Sequence, residues 1–101
     1  VPVRDLLAEA TIDTFRPLIG QTFFVRGTAA PLALVLSEAT PGASHAPGMR
    51  PPFSLLFTAA LDVRLPQDTY WLSAEGWGES AMFLVPVQPT RQHSRYQAVF
   101  G

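Results

Sequence analysis

FSLLF (Phe53–Phe57), TYWLS (Thr69–Ser73), AMFLVPV (Ala81–Val87) and YQAVF (Tyr96–Phe100) are four apolar runs in the later part of a 101-residue chain. Each has the length of a strand and a composition rich in aromatic and branched side chains. Turn residues separate them: Leu65-Pro66-Gln67-Asp68, Gly76-Trp77-Gly78 and the polar stretch Pro89–Ser94. The last two runs are close enough to pair as a hairpin. Within them the alternation puts Phe53, Leu55 and Phe57 on one face, and Tyr96, Ala98 and Phe100 on one face. Tyr70 and Leu72 face opposite to Trp71 and Ser73. Ala81–Val87 is apolar on both faces, which predicts the most central strand, with Pro86 marking an edge or a bulge at its end.

Working upstream, Gln21–Arg26 reads as a strand with Phe23 and Val25 on one face and Phe24 and Arg26 on the other. Gly27-Thr28 is a turn signal. Leu32, Leu34 and Leu36 then alternate with Ala33, Val35 and Ser37, so these two strands are expected to form a hairpin. Arg4–Ala10 reads as a short helix. Thr11 is placed to cap a second one over Ile12–Phe15, which Arg16-Pro17 ends. Ile12, Phe15, Leu18 and Ile19 are expected to plug one end of the sheet. Thr40–Pro52 is an irregular loop with four prolines. The expected architecture is a single all-β domain of about six antiparallel strands. It forms a small barrel or a bent sandwich over residues 21–101, with one or two short helices in residues 1–20.

Composition excludes much chemistry. With 48% hydrophobic residues the chain supports a core. It has no cysteine, so disulfides and thiolate chemistry are absent. All seven basic residues are arginine, so no lysine serves as a Schiff base or a phosphate-loop cation. The arginines are scattered and the formal net charge is −1, which predicts no nucleic-acid partner. The longest apolar run, Ala29–Leu36, falls well short of the roughly 18 residues that would read as a membrane span. His45 and His93 both fall in expected loops without neighbouring carboxylates, so no metal site and no cofactor are expected. The serines sit in no Gly-x-Ser-x-Gly elbow. No catalytic residue is expected, and the chain reads as a non-enzyme.

Binding residues are sought among exposed aromatics and arginine, the types enriched at interface hot spots. Two positions are open to Trp77 at the Gly-Trp-Gly tip: folded back over the end of the barrel, or outward as an anchor for a partner. Met49 and Arg50 in the proline loop form a second candidate. Trp71 is the third. If Tyr70 is inside, Trp71 is outside, and a neighbouring element or a second subunit covers it. Trp71, Phe24 and Leu56 form one contiguous patch if their strands are adjacent, which predicts a homo-oligomer.

Several segments recur together in a known family: Phe15-Arg16-Pro17-Leu18-Ile19-Gly20-Gln21-Thr22-Phe23, Pro52–Phe57, Leu65-Pro66-Gln67 with Tyr70, Phe83–Val87, and Arg95-Tyr96 with Ala98-Val99-Phe100. In that order they resemble a family of small uncharacterised bacterial proteins, a domain of unknown function, from about Thr11 to the C-terminus. The resemblance implies an association with tail-collar-like proteins of phage-derived systems and carries over no catalytic residue.

The expected function is a non-enzymatic interaction or structural module with a protein partner or a second copy; the resemblance implies an accessory part of an assembly of phage-tail type. The alternative is a small-ligand-binding barrel, disfavoured because about eight strands are needed before a barrel interior holds a small molecule. An enzyme with a site between subunits comes third. Phe83→Ala or Leu84→Ala is expected to cost about 2–5 kcal/mol.

Overall fold

The computed structural model describes residues 11–27, 32–42 and 52–100. Arg4–Ala10, and most of the proline loop with His45, Met49 and Arg50, lie outside the described residues. A single-turn helix α1 (Ile12–Phe15) runs into a 3-10 turn (Arg16–Leu18). Six strands follow: β1 (Thr22–Val25), β2 (Leu32–Pro41), β3 (Phe53–Ala60), β4 (Asp68–Ala74), β5 (Gly78–Val87) and β6 (His93–Phe100). They close into an antiparallel barrel in the order β1-β2-β3-β6-β5-β4, with β4 returning to pair with β1. The all-β expectation holds, and the choice between barrel and sandwich falls to the barrel. β2 runs on to Pro41, so Thr40 and Pro41 are strand and not loop. β5 begins at Gly78, three residues earlier than the apolar run suggested.

The topology is two three-strand meanders joined in Greek-key fashion, since β4 lies beside β1 and β6 beside β3. Closure depends on two devices. A register shift between Leu36 and Glu38 sets Ser37 as an extra residue in β2 and bends that strand. β5 changes partner along its length, pairing with β4 from Gly78 to Leu84 and with β6 from Val85 to Val87. Pro86 sits in that last part, where β4 has already ended, so its missing N–H breaks no ladder on that side.

Alternation sorts the side chains. Phe23, Val25, Leu34, Leu36, Phe53, Leu55, Phe57, Leu72, Met82 and Leu84 all point inward and are buried. The interior of a barrel this small is filled by its own side chains. At one end Phe15, fully buried, caps the interior, with its ring 5.8 Å from those of Phe53 and Phe100. Ile12 and Leu18 pack beside it, whereas Ile19 points outward.

The β3–β4 crossover closes the other end, over Leu61–Gln67. Its backbone cannot join a ladder, so side chains satisfy it. Tyr96, 2% exposed, accepts a hydrogen bond from the Leu65 N–H at 3.0 Å and donates one to the Val63 carbonyl at 3.1 Å. Ser94 also donates to the Val63 carbonyl at 3.1 Å, and the Tyr70 hydroxyl donates to the Pro66 carbonyl at 2.6 Å.

Two further sequence expectations need correction. A closed barrel has no central strand, so the two-faced apolar run in β5 is not buried on both sides: Phe83 is 51% exposed while its neighbour Leu84 is fully buried. The forecast of a large cost therefore stands for Leu84→Ala and not for Phe83→Ala. His93 is not in a loop either. It is the exposed first residue of β6.

Candidate functional site

Trp71 sits near the middle of β4, and the same alternation that buries Leu72 turns it out of the barrel, where it is 50% exposed. The strands on either side supply its neighbours. Phe24 of β1 pairs with Ser73, two residues along β4, and Phe83 of β5 pairs with Thr69, two residues the other way. Diagonal neighbours of this kind lie about 7–8 Å apart, within reach of aromatic side chains. Phe24, Trp71 and Phe83 thus form an outward diagonal across three adjacent strands, each roughly half exposed. Val99 of β6 is also outward and exposed, beyond the last β5–β6 pair at Val85↔Gln97.

Charge flanks the tryptophan on both sides. The Arg26 N–H donates to the Trp71 carbonyl at 2.9 Å, which brings the end of β1 alongside it. Arg26 and Glu79, from the strands on either side of β4, form an ion pair across its outer face. Arg26, Gly27, Trp71 and Glu79 line a shallow depression there. Both charged groups are about half exposed, so the pair contributes well under about 1 kcal/mol to folding. Its consequence is a surface that carries both signs beside an exposed indole.

Leu56 does not join this patch. It lies on β3, three strands from β4 in either direction around the ring, so it faces the opposite side of the barrel. The adjacency condition is met for Trp71 and Phe24 and fails for Leu56. Phe83 occupies that place instead. A signal for Phe83 was present, because a strand apolar on both faces must leave one of them outside a small barrel.

Trp77 is folded back. Gly76, with φ of 81°, takes the left-handed conformation that the turn requires, and the Trp77 N–H closes it on the Ala74 carbonyl at 3.2 Å. The indole lies 5.8 Å from the Phe15 ring and 5.5 Å from the Phe23 ring. It is half-buried and packs against the core, so only part of it remains available to a partner.

Among the described residues, no three of His, Asp and Glu come together as a metal-binding group. Ser94 and Tyr96 spend their hydroxyls on the crossover. Tyr70 titrates above its ordinary value of 10.0, first because burial disfavours the phenolate, then because of the negative charge of Asp68 and the nearby Tyr96. Among the described residues, no helix is long and apolar enough to cross a membrane.

A protein-family model described as a domain of unknown function (DUF6916) matches residues 10–100. The chain belongs to that family. The match covers the whole barrel together with α1. No curated protein and no solved structure matches the chain.

Proposed function

We propose that this DUF6916 domain is a non-enzymatic structural module that associates with a second copy of itself through the outer face of β1, β4 and β5. The observation that carries the reading is Trp71, half exposed at the centre of an aromatic diagonal and flanked by one cation and one anion. Half of an aromatic side chain is roughly 100 Å², so three supply about 300 Å² of apolar surface. That is the right size for the apolar centre of an interface burying about 800 Å² per partner, with Thr69, Ser73, Arg26 and Glu79 as its polar rim.

A second copy suits this face because the face is self-complementary. A two-fold axis near Trp71 sets Arg26 of one copy against Glu79 of the other, twice over. A strongly acidic or strongly basic partner gains nothing from a surface bearing both signs. The resemblance to proteins found beside tail-collar-like components is consistent with a structural part of a phage-tail-type assembly, where such self-association is needed.

Light scattering coupled to size exclusion, from about 10 μM to about 1 mM, tests the reading in the micromolar range expected for modest interfaces. The expected result is twice the monomer mass, reverting to the monomer in Trp71→Ser with an unchanged far-ultraviolet spectrum. A monomer at every concentration overturns the proposal. A dimer that Trp71→Ser leaves intact overturns the choice of face.

A further inference from the structure

The crossover end of the barrel carries a cleft of about 450 Å³ that the outer aromatic face does not touch. Arg64 and Arg95 line it, and no carboxylate does. In a chain of eight acids and seven arginines, two arginines lining one cleft without an acid is a departure from the general charge mixing. Among the described residues neither makes an ion pair. The remaining walls are mainly apolar and stiff, with Pro66, Pro86, Val87 and Pro89 contributing. Proline carries no N–H donor and little conformational freedom, so this wall offers an apolar surface in a fixed position.

The cleft is held in shape from both sides. One wall is the crossover, which Tyr96, Ser94 and Tyr70 tie down by its carbonyls and the Leu65 N–H. The other is the β5–β6 loop, closed by the Thr90 N–H on the His93 carbonyl at 2.9 Å and the His93 N–H on the Thr90 hydroxyl at 3.0 Å. Arg95 belongs to this framework too. Its Nε donates to the Gln88 carbonyl at 2.7 Å, which orients the guanidinium and commits only one of its five N–H donors. A planar fork held in this way matches two oxygens of a carboxylate or a phosphate.

We infer that this cleft binds a small organic anion, with its carboxylate or phosphate on Arg64 and Arg95 and its apolar body against the prolines and Val87. Such a site lies outside the barrel, so the filled interior does not oppose it. It is independent of the self-association proposed above.

The test is an NMR titration of the 15N-labelled full chain with 2-naphthoate, 2-naphthyl phosphate and neutral 2-naphthol, each to about 5 mM, a range that detects even weak binding. Either anion is expected to shift the amides of Leu65, Val87 and Arg95, and the tighter of the two identifies the headgroup. Arg64→Gln, an exposed change that leaves the fold intact, is expected to weaken binding about tenfold, the loss of one hydrogen bond to a charged group. Arg91→Gln serves as the control, because Arg91 carries the same charge in the same β5–β6 loop without lining the cleft. Its binding is expected to match the parent. The inference is overturned if neither anion shifts these amides or if 2-naphthol binds as well. It is also overturned if Arg91→Gln weakens binding as much as Arg64→Gln, which makes the effect diffuse charge and not a site.

Discussion

Replacing Tyr96 by phenylalanine removes one oxygen atom and should destabilise the fold more than the loss of either other hydroxyl that ties down the crossover. The hydroxyl accepts from the Leu65 N–H at 3.0 Å and donates to the Val63 carbonyl at 3.1 Å, on a residue only 2% exposed. The two losses are unequal. The Val63 carbonyl keeps its bond from Ser94, so that side costs about 1 kcal/mol, a typical net hydrogen bond. The Leu65 N–H, on a residue 8% exposed, is left without a partner, which adds about 1–3 kcal/mol. The sum is about 2–4 kcal/mol, a large part of the stability of a small domain. Ser94→Ala leaves every backbone N–H paired and should cost about 1 kcal/mol. Tyr70→Phe frees a carbonyl that water can reach and should cost less than that. Urea unfolding followed by tryptophan fluorescence measures the three, with an unchanged m-value confirming two-state behaviour. If Tyr96→Phe falls within about 0.5 kcal/mol of the parent, or Ser94→Ala costs more than Tyr96→Phe, the crossover is not held as described here, because satisfying buried N–H groups is what ranks these changes.

Further expectations follow from burial and charge. Leu84→Ala should cost about 2–5 kcal/mol and Phe83→Ala about 1 kcal/mol or less, since only the first opens a cavity; equal costs in chemical denaturation would contradict the outward placement of Phe83. Trp77→Ala should cost about 2–3 kcal/mol, because the half-buried indole covers Phe15 and Phe23; a cost near zero would mean the tip is free of the core. Tyr70 titrates above 10.0 in the folded chain, mainly through burial, so its neutral form is favoured by folding. The stability this provides is complete below the unfolded value and is lost as pH rises through the higher folded one. Urea midpoints should therefore fall above about pH 10, the ordinary phenol value, and fall less in Tyr70→Phe. Parallel curves for the two proteins would separate Tyr70 from the alkaline transition.

The parts of this fold legible in the sequence are those that depend on neighbours along the chain. Alternation at Phe53, Leu55 and Phe57, and at Phe23 and Val25, places each inward side chain correctly, because a strand repeats every two residues whatever it pairs with. The Gly-Trp-Gly turn is legible for the same local reason. Strand order is not, since the β1–β4 and β3–β6 pairs that close the barrel join segments far apart in sequence. The sequence therefore does not separate Leu56 from Trp71, although β3 lies across the barrel. The run Ala81–Val87 misled in a different way. Apolar residues on both faces suggest burial on both sides, but a closed barrel has an outside, and Phe83 faces it. Alternation also puts Tyr96 on the inward face with Ala98 and Phe100. Its function as a clamp was foreshadowed by its chemistry, since a buried phenol needs a polar partner.

Self-association through the Trp71 face is tested most directly by exchanging its charges between copies. In Arg26→Glu the face carries two acids, and in Glu79→Arg it carries two arginines. Each variant alone sets like charges against one another across the two-fold axis, whereas an equimolar mixture sets opposite charges together at both places. Light scattering should find monomer for each variant separately and dimer for the mixture. A mixture that stays monomeric while the parent dimerises, or single variants that dimerise as well as the parent, would contradict the account.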